Sequence, residues 1–111
     1  MNWLAGLLAF VVASTAWGFS ESTIEKKQLP KEAIEMIALI RKGGPYPHER
    51  DGVAFGNREK RLPARERGWY REFTVRTPGE RTRGARRIVA GRDGTLYYSD
   101  DHYRSFKRIL E

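Results

Sequence analysis

The alternation of apolar and polar residues in the C-terminal half is the feature that most limits how this chain can fold. Along residues 70–77, Phe73 and Val75 point to one side and Glu72 to the other. A period of two is typical of an antiparallel strand with one buried face. An Asp-Gly pair at 93–94 is a typical hairpin turn. These patterns predict an antiparallel meander.

The predicted strands cover most of the chain after residue 50. In one of them Ile88 faces inward and Arg87 outward, and in the last one Phe106 and Leu110 lie on one side. We expect extended segments at residues 51–55, 70–77, 86–90, 95–99 and 103–110.

One amphipathic helix is predicted ahead of the strands. Pro30 suits its first turn, and Gly43 follows its end. Ile34, Ile37 and Ile40 share one face, which is typical of a helix that packs on a sheet. The predicted class is therefore α+β, with one main α-helix packed on one face of a twisted antiparallel β-sheet whose other face is polar.

The first sixteen residues have the features of a secretory signal peptide. They contain no charged side chain, and their apolar run is too short to span a bilayer. Ser14 and Ala16 are suited to a cleavage site before Trp17, with later starts also open. An N-terminal core or anchor helix is the alternative. We divide the chain into a signal peptide at 1–16, a flexible lead-in at 17–28 and a folded domain at 29–111.

The chain is strongly basic, with a formal charge of +7 over 111 residues. Such a surface favours polyanions as partners. Between residues 76 and 92, six arginines accompany one acid, Glu80. A run of this kind forms a solvated face or a phosphate-binding surface, and the planar guanidinium group favours the second. Because the chain has no cysteine, its small core must be stabilised by packing alone.

Three side chains that could act on a phosphodiester are predicted to lie together. Glu72 and Arg87 alternate against core residues of one sheet, and His102 is expected to begin the last strand nearby. RNA supplies its own nucleophile, so the reaction needs a base for the 2′-hydroxyl, an acid for the leaving 5′-oxygen and a positive charge for the phosphorane. The pattern alone leaves open a solvated glutamate and a turn histidine.

Five ordered motifs resemble the microbial guanyl-specific ribonucleases of the barnase family, most closely the small actinomycete-type members. The similarity runs from Leu29 to Ile109. The motifs are Asp51-Gly52-Val53, Phe55-Gly56-Asn57-Arg58-Glu59 with Leu62-Pro63, Tyr70-Arg71-Glu72, Arg81-Thr82-Arg83-Gly84-Ala85-Arg86-Arg87-Ile88, and Tyr97-Tyr98 ahead of Asp101-His102-Tyr103.

The resemblance implies four catalytic residues and one tyrosine that binds the substrate. Glu72 would be the general base and His102 the general acid. Arg83 and Arg87 would bind the phosphate, and Tyr103 would help to hold the phosphate or the sugar.

The resemblance also implies a guanine site on the loop that begins at Phe55, whose ring would support stacking. The Glu59 carboxylate would accept from N1–H and from the exocyclic amine of the base. Backbone N–H groups near Asn57 and Arg58 would bind O6, and Asn57 suits a left-handed backbone. Gly56 stands where the family often has a polar residue, so one side-chain contact to the base would be lost or replaced by backbone.

Together these features predict a secreted endoribonuclease, in the medium or the periplasm, that cleaves single-stranded RNA 3′ to guanosine. Transesterification would give a 2′,3′-cyclic phosphate with no metal and no cofactor. We expect a monomer with no stable membrane association after signal removal. The resemblance also implies an acidic inhibitor of the barstar type, anchored by Arg58, Arg83, Arg87 and His102.

Two alternative functions stay open. One is a non-catalytic basic RNA-binding module, and the other is a ribonuclease toxin directed at competitors. His48 and Arg50, which stand before the first motif, are interpreted as peripheral to the chemistry.

Overall fold

A computed structural model describes residues 21–111, so the predicted signal peptide at 1–16 lies outside the described residues. No helix within the described part has the length and apolar character needed to cross a membrane. In chain order the elements are strand β1 (Thr23–Glu25), a 3-10 turn (Lys26–Gln28), helix α1 (Lys31–Lys42), and strands β2 (Val53–Ala54), β3 (Tyr70–Thr74), β4 (Arg87–Gly91), β5 (Leu96–Ser99) and β6 (Lys107–Leu110).

The strands form one mixed sheet in the order β1-β6-β5-β4-β3-β2. Antiparallel pairs join β2 through β6, as predicted. In contrast, β1 runs parallel to β6, with Ile24 opposite Ile109. Part of the predicted flexible lead-in at 17–28 is therefore an edge strand followed by a helical turn. Ile24 gives this polar segment an apolar contact with the main core.

Helix α1 packs on one face of the sheet through Ile37 of the predicted stripe and through Ala33 and Met36. It begins after Pro30 and ends at Gly43, whose φ of +92° is left-handed and suits glycine. Ile37 is fully buried, and Ile34 and Ile40 pack at the margin. The main core contains Leu29, Ala33, Met36, Ile37, Phe73, Val75, Ile88, Leu96, Tyr98 and Ile109.

The opposite face of the sheet is not wholly polar, which corrects the prediction. A second apolar cluster is built on Leu62, Tyr70, Val89 and Tyr97. Leu62 comes from the charged loop before β3, so alternation along the strands does not reveal its packing. Burial, the largest influence, raises the pKa of Tyr70 to about 12, and its hydroxyl donates to the carbonyl of Pro63 at 2.5 Å. This second apolar cluster therefore lies on the same face of the sheet as the polar residues Glu72 and Arg87.

The last strand is shorter than predicted, and His102 does not begin it. Residues 100–105 form bends and turns instead. The Asp101 carboxylate accepts from the hydroxyl of Ser99 at 2.8 Å and from the backbone N–H of Ser105 at 3.0 Å. These local bonds compete with strand pairing, and they place His102 on a turn.

The apolar residues near the C-terminus divide between the two faces of the sheet. Ile109 is 6% exposed and belongs to the main core, whereas Leu110 is 39% exposed. Phe106, just before β6, packs against the second cluster. The last residues of the chain therefore contribute to both the main core and the second apolar cluster.

Candidate active site

Glu72 is a buried carboxylate at the centre of the candidate site. It lies on β3 opposite Val89 of β4, and 6% of the residue is exposed. Its Oε1 accepts hydrogen bonds from Arg83 Nη2 at 2.6 Å and from the Tyr103 hydroxyl at 2.7 Å. Because both bonds end on Oε1, Oε2 remains available to another group.

The surroundings of Glu72 hold its pKa below the usual range. Burial, the largest single influence, acts in the opposite direction because it removes water from the charged carboxylate. The hydrogen bonds from Tyr103 and Arg83 and the positive charges of Arg83 and Arg50 outweigh it. Glu72 is therefore ionised at neutral pH and can accept a proton on Oε2.

Tyr103 connects this carboxylate to a second arginine. Its hydroxyl donates to Glu72 and accepts from Arg87 Nε at 3.1 Å. Its backbone has a φ of +72°, and its N–H donates to Ser99 Oγ at 2.9 Å. Burial and the neighbouring Glu72 raise the pKa of Tyr103 to about 12. The phenol therefore keeps its proton and remains a donor.

Replacing Tyr103 by phenylalanine tests this link. The variant keeps the ring but removes a donor to Glu72 and an acceptor for Arg87. We expect the pKa of Glu72 to rise, because a hydrogen bond to its charged form is lost. We also expect the free energy of unfolding to fall by about 1–3 kcal/mol, because the buried Nε–H of Arg87 loses its partner. NMR titration of the Glu72 carboxyl carbon and urea unfolding measure these changes. A titration identical to that of the native protein would contradict the bond.

Arg83 and Arg87 approach the carboxylate from different elements. Arg83 lies in the loop after β3, and its Nε donates to Thr74 Oγ1 at 2.8 Å. Arg87 begins β4, is 2% exposed, and donates from Nη1 to the carbonyl of Arg86 at 2.8 Å. Its guanidinium carbon is 5.6 Å from the centre of the Tyr103 ring. Both arginines are therefore held in position before an anion binds.

His102 lies on the turn before β6, next to Tyr103. Its φ is +58°, and its backbone N–H donates to the carbonyl of Ala85 at 3.0 Å. The residue is exposed, and its ring centre is 5.0 Å from that of Tyr103. The imidazole therefore lies at the edge of the site, where it can exchange protons with water.

The loop that begins at Phe55 lies beside this cluster. The ring of Phe55 packs 4.9 Å from that of Tyr103. Asn57 has a φ of +53°, and its amide both donates to and accepts from the backbone of Leu62, at 2.9 and 3.1 Å. The left-handed backbone predicted for Asn57 is present, and this pair of bonds fixes the shape of the loop.

Three of the predicted base-binding residues of this loop, Gly56, Arg58 and Glu59, are open to solvent. Glu59 and Arg58 are exposed, and the Glu59 carboxylate has Arg61 Nη1 at 3.9 Å. Gly56 does not have a positive φ, and an added Cβ would meet Arg58 at an ordinary 3.6 Å. A ligand could therefore reach Glu59 without moving the backbone.

Sequence reasoning missed the position of Arg50. The sequence predicts a residue peripheral to the chemistry, but Arg50 Nη2 lies 3.7 Å from Glu72 Oε2. The following residue, Asp51, accepts from the backbone N–H of Thr74 at 2.7 Å and from that of His48 at 3.1 Å. The signal that could have found this contact is the Asp-Gly pair at 51–52, which suits a turn against the strand that carries Glu72.

Four of the predicted catalytic residues thus meet around one tyrosine. Glu72, Arg83 and Arg87 are joined to each other directly or through Tyr103, and His102 adjoins the same ring. Within residues 21–111, no three His, Cys, Asp or Glu side chains are grouped in a way that could hold a metal ion. The cluster provides a fixed carboxylate, two fixed cations and an exposed imidazole.

Comparison with known proteins shows the family to which the chain belongs. A ribonuclease family model matches residues 13–110. The chain therefore belongs to the ribonuclease family, as the motifs predicted.

Two guanyl-specific ribonucleases are among the proteins whose sequences are similar to this chain. The chain is 48% identical to ribonuclease St of Saccharopolyspora erythraea over 93 residues, which cover 84% of this chain and 90% of that protein. It is 52% identical to ribonuclease Sa3 of Kitasatospora aureofaciens over 82 residues, which cover 73% of this chain and 58% of the relative. The chain thus spans less than two thirds of Sa3.

Solved structures of ribonuclease Sa2 share the fold. A structure from a study of its mononucleotide complexes has a TM-score of 0.82 and 48% identity, covering 84% of this chain and 97% of Sa2. A crystal structure with guanosine-2′-cyclophosphate has a TM-score of 0.78 and 49% identity, covering 82% and 97%. These comparisons confirm the predicted microbial ribonuclease fold.

Proposed function

We propose that this chain is an exported endoribonuclease that cleaves single-stranded RNA on the 3′ side of guanosine. The observation that carries the proposal is the arrangement at Glu72, an ionised carboxylate with Oε1 fixed by Arg83 and Tyr103 and with Oε2 available. The names of ribonucleases St and Sa3, and the guanosine cyclophosphate bound to Sa2, support this substrate class.

In the proposed reaction Glu72 is the general base and His102 the general acid. Glu72 Oε2 takes the proton of the ribose 2′-hydroxyl while the 2′-oxygen forms a bond to phosphorus. The bond from phosphorus to the 5′-oxygen breaks, and His102 gives that oxygen a proton. The products are a 2′,3′-cyclic phosphate and a free 5′-hydroxyl.

Arg83 and Arg87 supply the positive charge for this step, so the proposal needs no metal ion. Negative charge develops on the phosphoryl oxygens in the transition state. Charges that are already in position stabilise it without reorganisation. Arg83 is held by Thr74, and Arg87 by Tyr103 and a backbone carbonyl, which supports this role.

Glu59 is proposed to select guanine. A carboxylate accepts from both N1–H and the exocyclic amine of guanine, whereas adenine has no proton on N1. We expect Glu59→Gln to lower the ratio of cleavage after G to cleavage after A by about 5- to 150-fold, since an unpaired polar group costs about 1–3 kcal/mol. Mapping the cuts in a mixed-sequence RNA with EDTA present measures this ratio and tests metal independence.

Glu66→Gln is the matched control for that experiment. Glu66 is also an exposed carboxylate in the loop before β3, where it pairs with Arg92. Its substitution should leave the ratio unchanged. If Glu59→Gln also leaves the ratio unchanged, guanine is recognised elsewhere.

Export, partners and oligomeric state complete the proposal. The uncharged apolar start of the chain supports cleavage near Trp17 and release into the medium or the periplasm. N-terminal sequencing of the exported protein tests this.

The protein is proposed to be a monomer. Its basic charge supports binding of an acidic inhibitor of the barstar type. Activity that persists in excess inhibitor would contradict that partner.

A non-catalytic RNA-binding role is the second candidate, and the charge of +7 favours it. However, a pure binder gains nothing from a carboxylate between phosphate-facing arginines, because that charge repels phosphate. Glu72 therefore favours cleavage. A ribonuclease used as a toxin against competitors would act by the same chemistry.

A further inference from the structure

Arg50 lies beside Glu72, yet the proposed mechanism gives it no part. Its Nη2 is 3.7 Å from Glu72 Oε2, the oxygen that Arg83 and Tyr103 leave available. The Arg50 side chain is 55% exposed, whereas that of Glu72 is 8% exposed. Arg50 thus stands on the solvent side of the oxygen that the ribose 2′-hydroxyl must reach.

The backbone at Arg50 is anchored, but its guanidinium is not. The N–H of Arg50 donates to His48 Nδ1 at 3.0 Å, and its carbonyl accepts from Val53 at 3.2 Å. The next residue, Asp51, is tied to Thr74 on β3 by a bond of 2.7 Å. The 3.7 Å ion pair at the guanidinium is too long for a hydrogen bond. The side chain can therefore change partner while the loop stays in place.

We propose that Arg50 is a third phosphate-binding arginine, which pairs with Glu72 in the free protein and moves to a phosphate oxygen when RNA binds. This inference rests on the proposed function. A phosphate offers a guanidinium two short charged hydrogen bonds, and the pair with Glu72 has none. The movement opens Oε2 to the 2′-hydroxyl. It also withdraws a positive charge from the base at the moment when the base must accept a proton.

The pH dependence of Glu72 is set by a small group of neighbours. Arg83 and Tyr103 face Oε1, and Arg50 faces Oε2. His48, on the same loop, accepts a hydrogen bond from the backbone N–H of Arg50. Because a nearby cation favours the ionised carboxylate, loss of Arg50 must raise the pKa of Glu72.

The test compares the native protein with Arg50→Gln, Arg50→Lys and Arg67→Gln. Arg67 is exposed in the loop before β3, so its substitution removes the same charge away from Glu72. We would measure binding of guanosine 3′-phosphate and, by NMR, the titration of the Glu72 carboxyl carbon with and without that ligand. We would also measure the pH profiles of kcat and kcat/KM on a short RNA for each of these proteins.

We expect Arg50→Gln to bind guanosine 3′-phosphate about 3- to 10-fold more weakly, as for one charge at about 4 Å in water-like surroundings. In this variant Glu72 should titrate at higher pH without ligand, and the acid limb of kcat/KM should move up with it. The acid limb of kcat should stay in place, because Arg50 has already left Glu72 in the complex. Arg50→Lys should recover part of the affinity.

Two results would overturn the proposal. One is an affinity of Arg50→Gln for guanosine 3′-phosphate equal to that of Arg67→Gln. The other is a Glu72 titration that is the same with and without Arg50. If both quantities change as expected but the native protein cleaves no RNA, the proposed function fails while the role of Arg50 in phosphate binding stands.

Discussion

Substitution of Glu72 by glutamine is expected to lower kcat on single-stranded RNA by about 10²- to 10⁴-fold. Glutamine keeps the size of the side chain and can still accept from Arg83 and Tyr103, but it does not take the proton of the 2′-hydroxyl. The loss corresponds to roughly 3–5 kcal/mol of barrier. The acid limb of the pH profile should disappear as well, because it reports protonation of Glu72. Single-turnover rates over a range of pH measure both effects.

Ligand binding and stability are the controls for this variant. Removal of a negative charge beside Arg83 should leave binding of guanosine 3′-phosphate equal or tighter. The folded-state pKa of Glu72 is depressed, so its charge stabilises the native protein above the unfolded-state pKa, and this contribution is lost as the pH falls through the folded-state pKa. The glutamine variant should lack that acid-dependent loss of stability. A fall in kcat of less than tenfold with binding intact would contradict the assignment of Glu72 as base.

Substitution of His102 by glutamine is expected to cause a similar loss, about 10²- to 10⁴-fold in kcat on RNA. The physical reason lies at the other end of the reaction, because the 5′-oxygen is a poor leaving group without a proton. Stability should change little, since His102 is exposed and its backbone bond to Ala85 does not depend on the side chain. Initial rates on a short RNA and urea unfolding measure the two quantities.

A second substrate separates the acid from the base. In the 4-nitrophenyl ester of guanosine 3′-phosphate the leaving group needs no proton. The defect of His102→Gln should therefore shrink to less than about tenfold on this ester, whereas the defect of Glu72→Gln should persist. Equal defects of the His102 variant on both substrates would exclude it as the general acid.

The main elements of the fold could be predicted because their signals are local. The isoleucine stripe of α1 and the alternation around Phe73 each describe one buried face. The pairing of β1 with β6 joins residues more than eighty positions apart, and the polar sequence around Ile24 has no strand pattern of its own. Likewise, Leu62 reaches the second apolar cluster from a charged loop. Such contacts depend on tertiary packing, which periodicity does not encode.

The parts of the site that depend on local sequence patterns could also be predicted, whereas the parts that depend on tertiary contacts could not. Alternation placed Glu72 and Arg87 on one face, and the structure joins them through Tyr103. The turn that carries His102 was missed because Asp101 and its serine partners outweigh strand propensity. The contact of Arg50 with Glu72 depends on the tertiary pairing of β2 with β3, and the Asp-Gly pair at 51–52 indicates only the turn before β2.

The central claim is tested most directly by identifying the ends of the RNA fragments. The purified protein is incubated briefly with a single-stranded RNA of mixed sequence in EDTA, and the fragments are analysed by mass spectrometry. We predict 5′ fragments that end in guanosine 2′,3′-cyclic phosphate and 3′ fragments that begin with a free 5′-hydroxyl, with neither formed at a comparable rate by Glu72→Gln or His102→Gln. Tight RNA binding without cleavage, or fragments with 3′-hydroxyl and 5′-phosphate ends, would contradict the account.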